Sequence, residues 1–388
     1  MLSYGESKVR NAIVKACRKT LFLGFYICAR LIVPIMYSRA FRRGELSYLS
    51  EEDYLVWKKA MLTMLKEFCF AGFNFKVRKT IYAFAKAKIE IVRKSEPGSP
   101  EKPIIVLCVK NDLQRIQMLT EHYRKLGIEK FAFLDNGSDD GTFEWLSEQA
   151  DVDLFSCRER YQTPVKEGWI NRIVSYFGFD RWYIVTDSDE LCTYIGAETH
   201  PISDVIAYAE KNGIKRFKGL TIDMYPNGKL YQKTDHLQQD YCRMDYNTYY
   251  ERDKQVGSVH YNEFWGGPRY RRMGSLITLS KWPIVYWEKG TISDNAHFQF
   301  PHDQLPKCEC YIGILHYKFI DRDLETYKSR ALPGSGFLPG KNHYKLYVNN
   351  VEENGHPGFL FADSIVFNGS ESLKEIQLLS DMQLDNAD

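Results

Sequence analysis

WYIVTDSDEL (Trp182 to Leu191) joins an apolar run of strand length to a turn bearing Asp187, Asp189 and Glu190. A continuous apolar run of this length suits a parallel strand covered on both faces. Back along the chain the same grammar repeats in VDLF (Val152 to Phe155), FAFLD (Phe131 to Asp135) and IIVLCV (Ile104 to Val109). Helical stretches separate these runs. Asn111 or Asp112 can cap one that runs to Leu126 and stops at Gly127; Thr163 can cap another, with Pro164 at its first position, that runs to about Phe177. A shorter helix through Trp145 follows the polar turn NGSDDGT (Asn136 to Thr142). Strands alternating with helices predict an α/β fold, Rossmann-like, with a mostly parallel sheet and helices on both faces.

Ligands of open parallel sheets bind beyond the carboxyl ends of the strands, and both acidic turns, LDNGSDDGT and TDSDE, fall there. Two carboxylates at a spacing of two, just past a strand, can offer oxygens to a hard cation that keeps open positions for phosphate oxygens. Such a cation neutralises charge developing on a diphosphate leaving group. A solvated acidic loop is the alternative, since an isolated DxD is common by chance. Placement after a strand, downstream of a second acidic turn, favours the cation.

The 388 residues leave room for one large α/β domain and a smaller attachment. A net charge of +2 gives no reason to expect a nucleic-acid partner. The nine cysteines are scattered, odd in number and without a CxxC pair, which suits reduced thiols in the cytoplasm rather than a disulfide framework or a zinc site. Charge is uneven along the chain. Up to Glu45 it carries Lys8, Arg10, Lys15, Arg18, Lys19, Arg30, Arg39, Arg42 and Arg43 against Glu6 and Glu45. The apolar stretch Thr20 to Tyr37 is broken by Arg30 and Pro34, and neither half reaches the roughly 20 residues that span a bilayer. Residues 1–45 therefore suit a helix on the anionic inner face of the cytoplasmic membrane, a helical hairpin packed on the main domain or, third, a true membrane anchor. The expected organisation is a basic helical region at 1–95, a breaker-rich linker at 96–103, the α/β domain at 104–350 and a carboxy-terminal extension at 351–388.

Further motifs follow in fixed order: VKND (Val109 to Asp112), LDNGSDDGT, VTDSDEL, WGGPRYRR (Trp265 to Arg272), SKWPIVYW (Ser280 to Trp287), AHF (Ala296 to Phe298) and LHYKF (Leu315 to Phe319). On these motifs the chain resembles glycosyltransferases of the family 2 type, which have the GT-A fold, and among them a bacterial branch with KNE, DNxSxDGT, DxDE, GGxRxR and LHFKF elements. The likeness covers about residues 103 to 350. It implies metal-assisted transfer, with Mn2+ or Mg2+, from a nucleotide-diphosphate sugar such as a UDP-sugar. The acceptor would be a saccharide or a lipid-linked molecule of surface polysaccharide or glycoconjugate synthesis.

Carried over by position, the resemblance implies that Asp135 bonds the base or ribose, with Val109, Lys110 and Asn111 lining the base pocket and Asp139 supporting the turn. Asp187 would approach the ribose and the metal, and Asp189 would be the principal ligand, with His316 as a further metal ligand and Lys318 on the diphosphate. Leu191 stands where the family has Phe. The usual ED pair for the general base is not evident, which leaves Glu263, Asp294 and Glu190 as candidate catalytic carboxylates and the inverting outcome as a matter of resemblance. GGPRYRR suits an anionic donor through Arg269, or forms a tight hairpin with a solvated basic strand. His297 is a weaker candidate for metal or acceptor contact. The tyrosine-rich span from Thr221 to Tyr261 suits an acceptor site or a packed loop. Two other functions remain: a sugar-nucleotide nucleotidyltransferase, although VKNDLQR lacks the glycines of a phosphate loop, and a catalytically inactive sugar-binding scaffold.

Overall fold

The computed structural model describes residues 87, 89–256, 259–289, 291–293, 295, 297–300, 309–332, 343–355 and 358–384. The expected membrane-associated helices of residues 1–45 and the candidate base Asp294 lie outside the described residues.

The strands, in chain order, are β1 Glu90–Arg93, β2 Ile104–Val109, β3 Phe131–Asp135, β4 Val152–Ser156, β5 Arg181–Val185, β6 Glu190–Thr193, β7 Arg216–Asp223, β8 Arg243–Met244, β9 Tyr249–Val256, β10 Val259–Gly266, β11 Ser280–Trp287, β12 Ile292–Ser293, β13 Gln299–Phe300, β14 Cys310–His316 and β15 Ile365–Val366. Nine form one sheet in the order β1-β4-β3-β2-β5-β11-β7-β14-β6. Strands β2, β3, β4, β5, β7 and β14 run one way, and β1, β6 and β11 run against them. This is the mostly parallel α/β sheet expected, consistent with a GT-A-like fold.

Side chains alternate cleanly across it. Ile105, Leu107, Phe131, Phe133, Trp182 and Ile184 pack with the helices Leu113–Lys125 and Ile202–Asn212. Ile104, Val106, Ala132, Leu134 and Tyr183 pack on the other face against Trp169, Ile170, Ile173 and Val174 of the helix Thr163–Phe177. Both faces are therefore apolar, which is why these strands read as unbroken hydrophobic runs. Each large side chain buried this way contributes about 1.5–3 kcal/mol.

Two departures from the sequence reading have physical causes. Residues 90–93 fall in the span expected to be helical, yet form an antiparallel edge strand, where the Arg93 guanidinium bonds the carbonyls of Ser147 and Val152 at 2.9 and 2.7 Å. GGPRYRR forms a short helix, Gly267–Met273, rather than a hairpin. The hairpin is β9 with β10, and Gly266 ends it at φ 103°, where a Cβ would meet the Thr248 carbonyl oxygen at 2.1 Å. Pro283 sits inside the central strand β11, and the pairing with β7 slips between Lys281 and Ile284, where proline has no N–H to give. The carboxy-terminal segment folds back into the same core through Leu373, Ile376, Leu379 and Met382. No helix among the described residues is long and apolar enough to cross a membrane.

The topology decides what can meet at one edge. The carboxyl ends of β2, β3, β5, β7 and β14 lie together there, and so do the amino ends of the reversed strands β6 and β11. Glu190 and Lys281, which begin or nearly begin reversed strands, thus join Asp187, Asp223 and His316, and in the ladder His316 stands opposite both Glu190 and Asp223.

Candidate active site

The turn after β3 is held mainly by neutral partners, with one cation, Arg322, on Asp140 at 3.2 Å. Asp135 is 2% exposed, and its Oδ2 accepts the backbone N–H groups of Gly137 and Ser138 at 2.9 and 3.0 Å. Its Oδ1 is buried without a hydrogen-bond partner. Beyond β2, which ends at Val109, Lys110 is exposed and Asn111 takes φ 51°. Asn111 and Asp139 bond reciprocally, the amide donating at 2.6 Å and the Asp139 N–H returning at 2.8 Å. The structure therefore brings Val109, Lys110, Asn111, Asp135 and Asp139 to one place.

The turn after β5 is held by cations from distant parts of the chain. Asp187 pairs with Lys166 through one oxygen and with Lys281 through the other at 3.0 Å. The same Lys281 ammonium donates to both oxygens of Glu190 at 2.6 and 2.7 Å. Asp189 faces His316 Nε2 at 3.2 Å, Arg115 at 3.6 Å and Lys318 at 3.7 Å. The other imidazole nitrogen donates to Asp223 at 2.7 Å, and Asp223 in turn accepts from Arg269 at 2.6 Å. Behind these, Asp112 accepts from Ser188 and Arg322, and Arg115 pairs with Asp323.

Burial by itself would raise the Asp189 carboxyl, but His316, Lys318 and Arg115 hold it well below the usual range. Burial likewise opposes charge on His316, and Asp189 and Asp223 outweigh it and raise the imidazole. For Asp112 burial wins, and the carboxyl is raised despite Arg115 and Arg322.

Ligand atoms of Asp189, Glu190 and His316 lie within 4.8 Å of one another. Carboxylate oxygens with one imidazole form a donor set suited to Mn2+ or Mg2+. A histidine whose second nitrogen is fixed by a carboxylate is the usual arrangement for a metal ligand. The residues present therefore fit a divalent cation.

Other residues singled out in the sequence stand apart or are otherwise engaged. Arg269 is buried and directed at Asp223, one step behind His316. Glu263 is buried in β10, accepting from the Tyr261 hydroxyl at 3.1 Å, with Lys254 at 3.7 Å. The Tyr261 ring packs on Trp282, which follows Lys281. His297 bonds the Ser280 carbonyl at 2.9 Å. Lys166, Lys281 and Arg115 are site residues that the motifs did not disclose. Lys166 carried a signal: it stands on the apolar stripe with Trp169, Ile170 and Ile173, as Arg115 does with Met118 and Leu119, and a cation on a buried stripe needs a buried partner.

No protein-family model matches the chain, and no curated protein matches it. Among solved structures, it is similar to a mannosyltransferase from Pyrobaculum calidifontis in complex with GDP-Man and Mn2+, at 13% identity and TM-score 0.25 over 43% of this chain and 47% of that one. It is also similar to S. aureus TarS 1-349, at 12% identity and TM-score 0.27 over 65% and 72%. A third is glucosyl-3-phosphoglycerate synthase from Mycobacterium tuberculosis, at 17% identity and TM-score 0.22 over 38% and 52%. These likenesses are distant, and the chain spans only about half of the first of them. The reaction has to be read from the site.

Proposed function

We propose that this chain is a glycosyltransferase that takes its sugar from a nucleoside-diphosphate donor, a UDP-sugar by the motifs, and passes it to a saccharide or lipid-linked acceptor. The observation that carries the reading is the meeting of Asp189 and His316, 3.2 Å apart at the carboxyl edge of the sheet, with Asp223 fixing the imidazole. Asp189 and His316 would hold a divalent cation together with an oxygen of Asp187 or Glu190. Bound there, Mn2+ or Mg2+ supplies charge compensation for a departing diphosphate.

The chain's own groups do the rest. The free Oδ1 of Asp135 accepts a hydrogen bond from the nucleoside, within a pocket shaped by Val109, Lys110 and Asn111. Lys318, on the strand-end segment after His316, adds a donor for a phosphate oxygen. Arg269 acts through Asp223, keeping the His316 ring in place. As general base we place Glu263, since Glu190 has both oxygens engaged by Lys281; a carboxylate that reaches the acceptor hydroxyl can take its proton. Association of residues 1–45 with the inner membrane face belongs to the same proposal, because a lipid-linked acceptor would be met there.

Release of free nucleoside diphosphate from a panel of UDP- and GDP-sugars, with and without chelator, tests the reading. Release that chelator abolishes is expected. A nucleotidyltransferase would instead release pyrophosphate from a nucleoside triphosphate, and a scaffold would release nothing from any donor.

A further inference from the structure

Every carboxylate a divalent cation would use is already matched by a cation of the protein. Lys281 holds Glu190 and one oxygen of Asp187, Lys166 holds the other oxygen, and Asp189 faces Lys318, Arg115 and His316. The lysine side chains are only 12% and 9% exposed. A cation entering alone must draw Glu190 or Asp187 away from Lys281 and leave a poorly hydrated ammonium with one carboxylate in place of two, which is unfavourable. A diphosphate entering with the cation removes that obstacle, because its oxygens accept the released ammonium while the cation takes the carboxylate.

We propose that Lys281, backed by Lys166, is a charge latch that makes divalent-cation binding conditional on a diphosphate, to which the displaced ammonium passes. The inference rests on the proposed function only in taking a nucleoside diphosphate as the ligand. Coupling of this kind is reciprocal, so the cation tightens the nucleotide by the same factor as the nucleotide tightens the cation.

Mn2+ is titrated into the full chain, with free Mn2+ followed by electron paramagnetic resonance, in the absence and presence of saturating UDP or GDP. In the native chain the nucleotide tightens Mn2+ by about 30-fold or more. Lys281→Met binds Mn2+ about 10-fold more tightly than the native chain without nucleotide, and the coupling shrinks to about 3-fold. Mn2+ alone then raises the unfolding temperature of Lys281→Met and not that of the native chain. Lys166→Met shifts both quantities in the same direction by less, and serves if Lys281→Met does not fold. Equal Mn2+ affinity with and without nucleotide in the native chain, or unchanged coupling in the lysine variants, overturns the latch and leaves the glycosyltransferase reading standing. Failure of both UDP and GDP to bind, with or without Mn2+, removes both the latch and the glycosyltransferase reading.

Discussion

The two acidic turns at the carboxyl edge, after β3 and after β5, look alike in sequence and are built on opposite principles. The first is satisfied mostly by neutral groups, the Gly137 and Ser138 N–H groups on Asp135, the Asn111 amide on Asp139 and the Thr142 N–H on Asp140 at 3.0 Å, with one cation, Arg322, on Asp140 at 3.2 Å. The second has its three carboxylates held almost wholly by charge, from residues 21 (Lys166 to Asp187) to 129 (Lys318 to Asp189) positions away. Neutral local bonds fix a shape, and such a turn can form before a ligand arrives. Ion pairs gathered from several elements store charge that a ligand can redistribute. On the proposed function, the difference suits recognition of the nucleoside by the first turn and handling of the diphosphate by the second.

That division should show first at Asp189. Asp189→Ala is expected to lower kcat by about 10³-fold, the scale of a lost electrostatic contact to developing charge, with the fold retained by circular dichroism. Full turnover in this variant would break the assignment of chemistry to the second turn. The first turn should respond in binding instead. Asp135→Ala removes a charged acceptor and is expected to weaken UDP by about 2 kcal/mol, near 30-fold in Kd by calorimetry. An Asp135→Ala that lost kcat with unchanged UDP affinity would merge the two roles.

Of the first turn, its place after a strand was legible in the sequence, while the grouping of Asp135, Asp139 and Asn111 came from the resemblance; their bonds join residues 2 to 28 positions apart. The sheet was legible because two apolar faces turn IIVLCV, FAFLD and WYIVT into uninterrupted runs. The second turn was half legible. Asp187 and Asp189 stand out as a triplet after a strand, but their partners Lys281 and Arg115 come from a reversed strand and another helix, and only the sheet order brings them in. GGPRYRR was open between an anionic-ligand role and a tight hairpin, and the hairpin alternative does not hold: the tight approach of Gly266 to Thr248 ends the hairpin there and a helix starts. The place of Glu263 could not be read from spacing, because among the described residues β10 ladders with β9 and meets the sheet through the Leu279 N–H on the Phe264 carbonyl at 2.7 Å and packing such as Tyr261 on Trp282.

Charge stored around the second turn also sets a pH dependence. Burial first, and then the nearby Lys281 and Lys166, push His297 down to about 4, while its bond to the Ser280 carbonyl resists. The unfolded chain, with histidine near 6.5, therefore binds the proton first as pH falls. The stability this histidine contributes is complete above about pH 7 and is lost between about 6.5 and 4. With allowance for its partial exposure, the loss is about 1–2 kcal/mol. Urea midpoints at pH 7.5 and 5 measure it. His122, half-buried and also lowered, acts with the same sign and His316, raised, with the opposite one, so the difference between the native chain and His297→Asn isolates the His297 part.

The smallest expected effect falls on the first turn and tests whether its shape is local. Asn111→Ala removes both bonds to Asp139 and places a residue poorly suited to φ 51° there. Asn111→Gly removes the same bonds but accepts the backbone. The exposed bonds contribute about 0.5 kcal/mol each and the backbone about as much again. Alanine should therefore cost about 1.5 kcal/mol in urea unfolding and glycine about 1, both with Mn2+ and diphosphate coupling intact. A change in that coupling would mean that the two turns communicate, and nucleoside recognition could then not be separated from the charge held around Asp189.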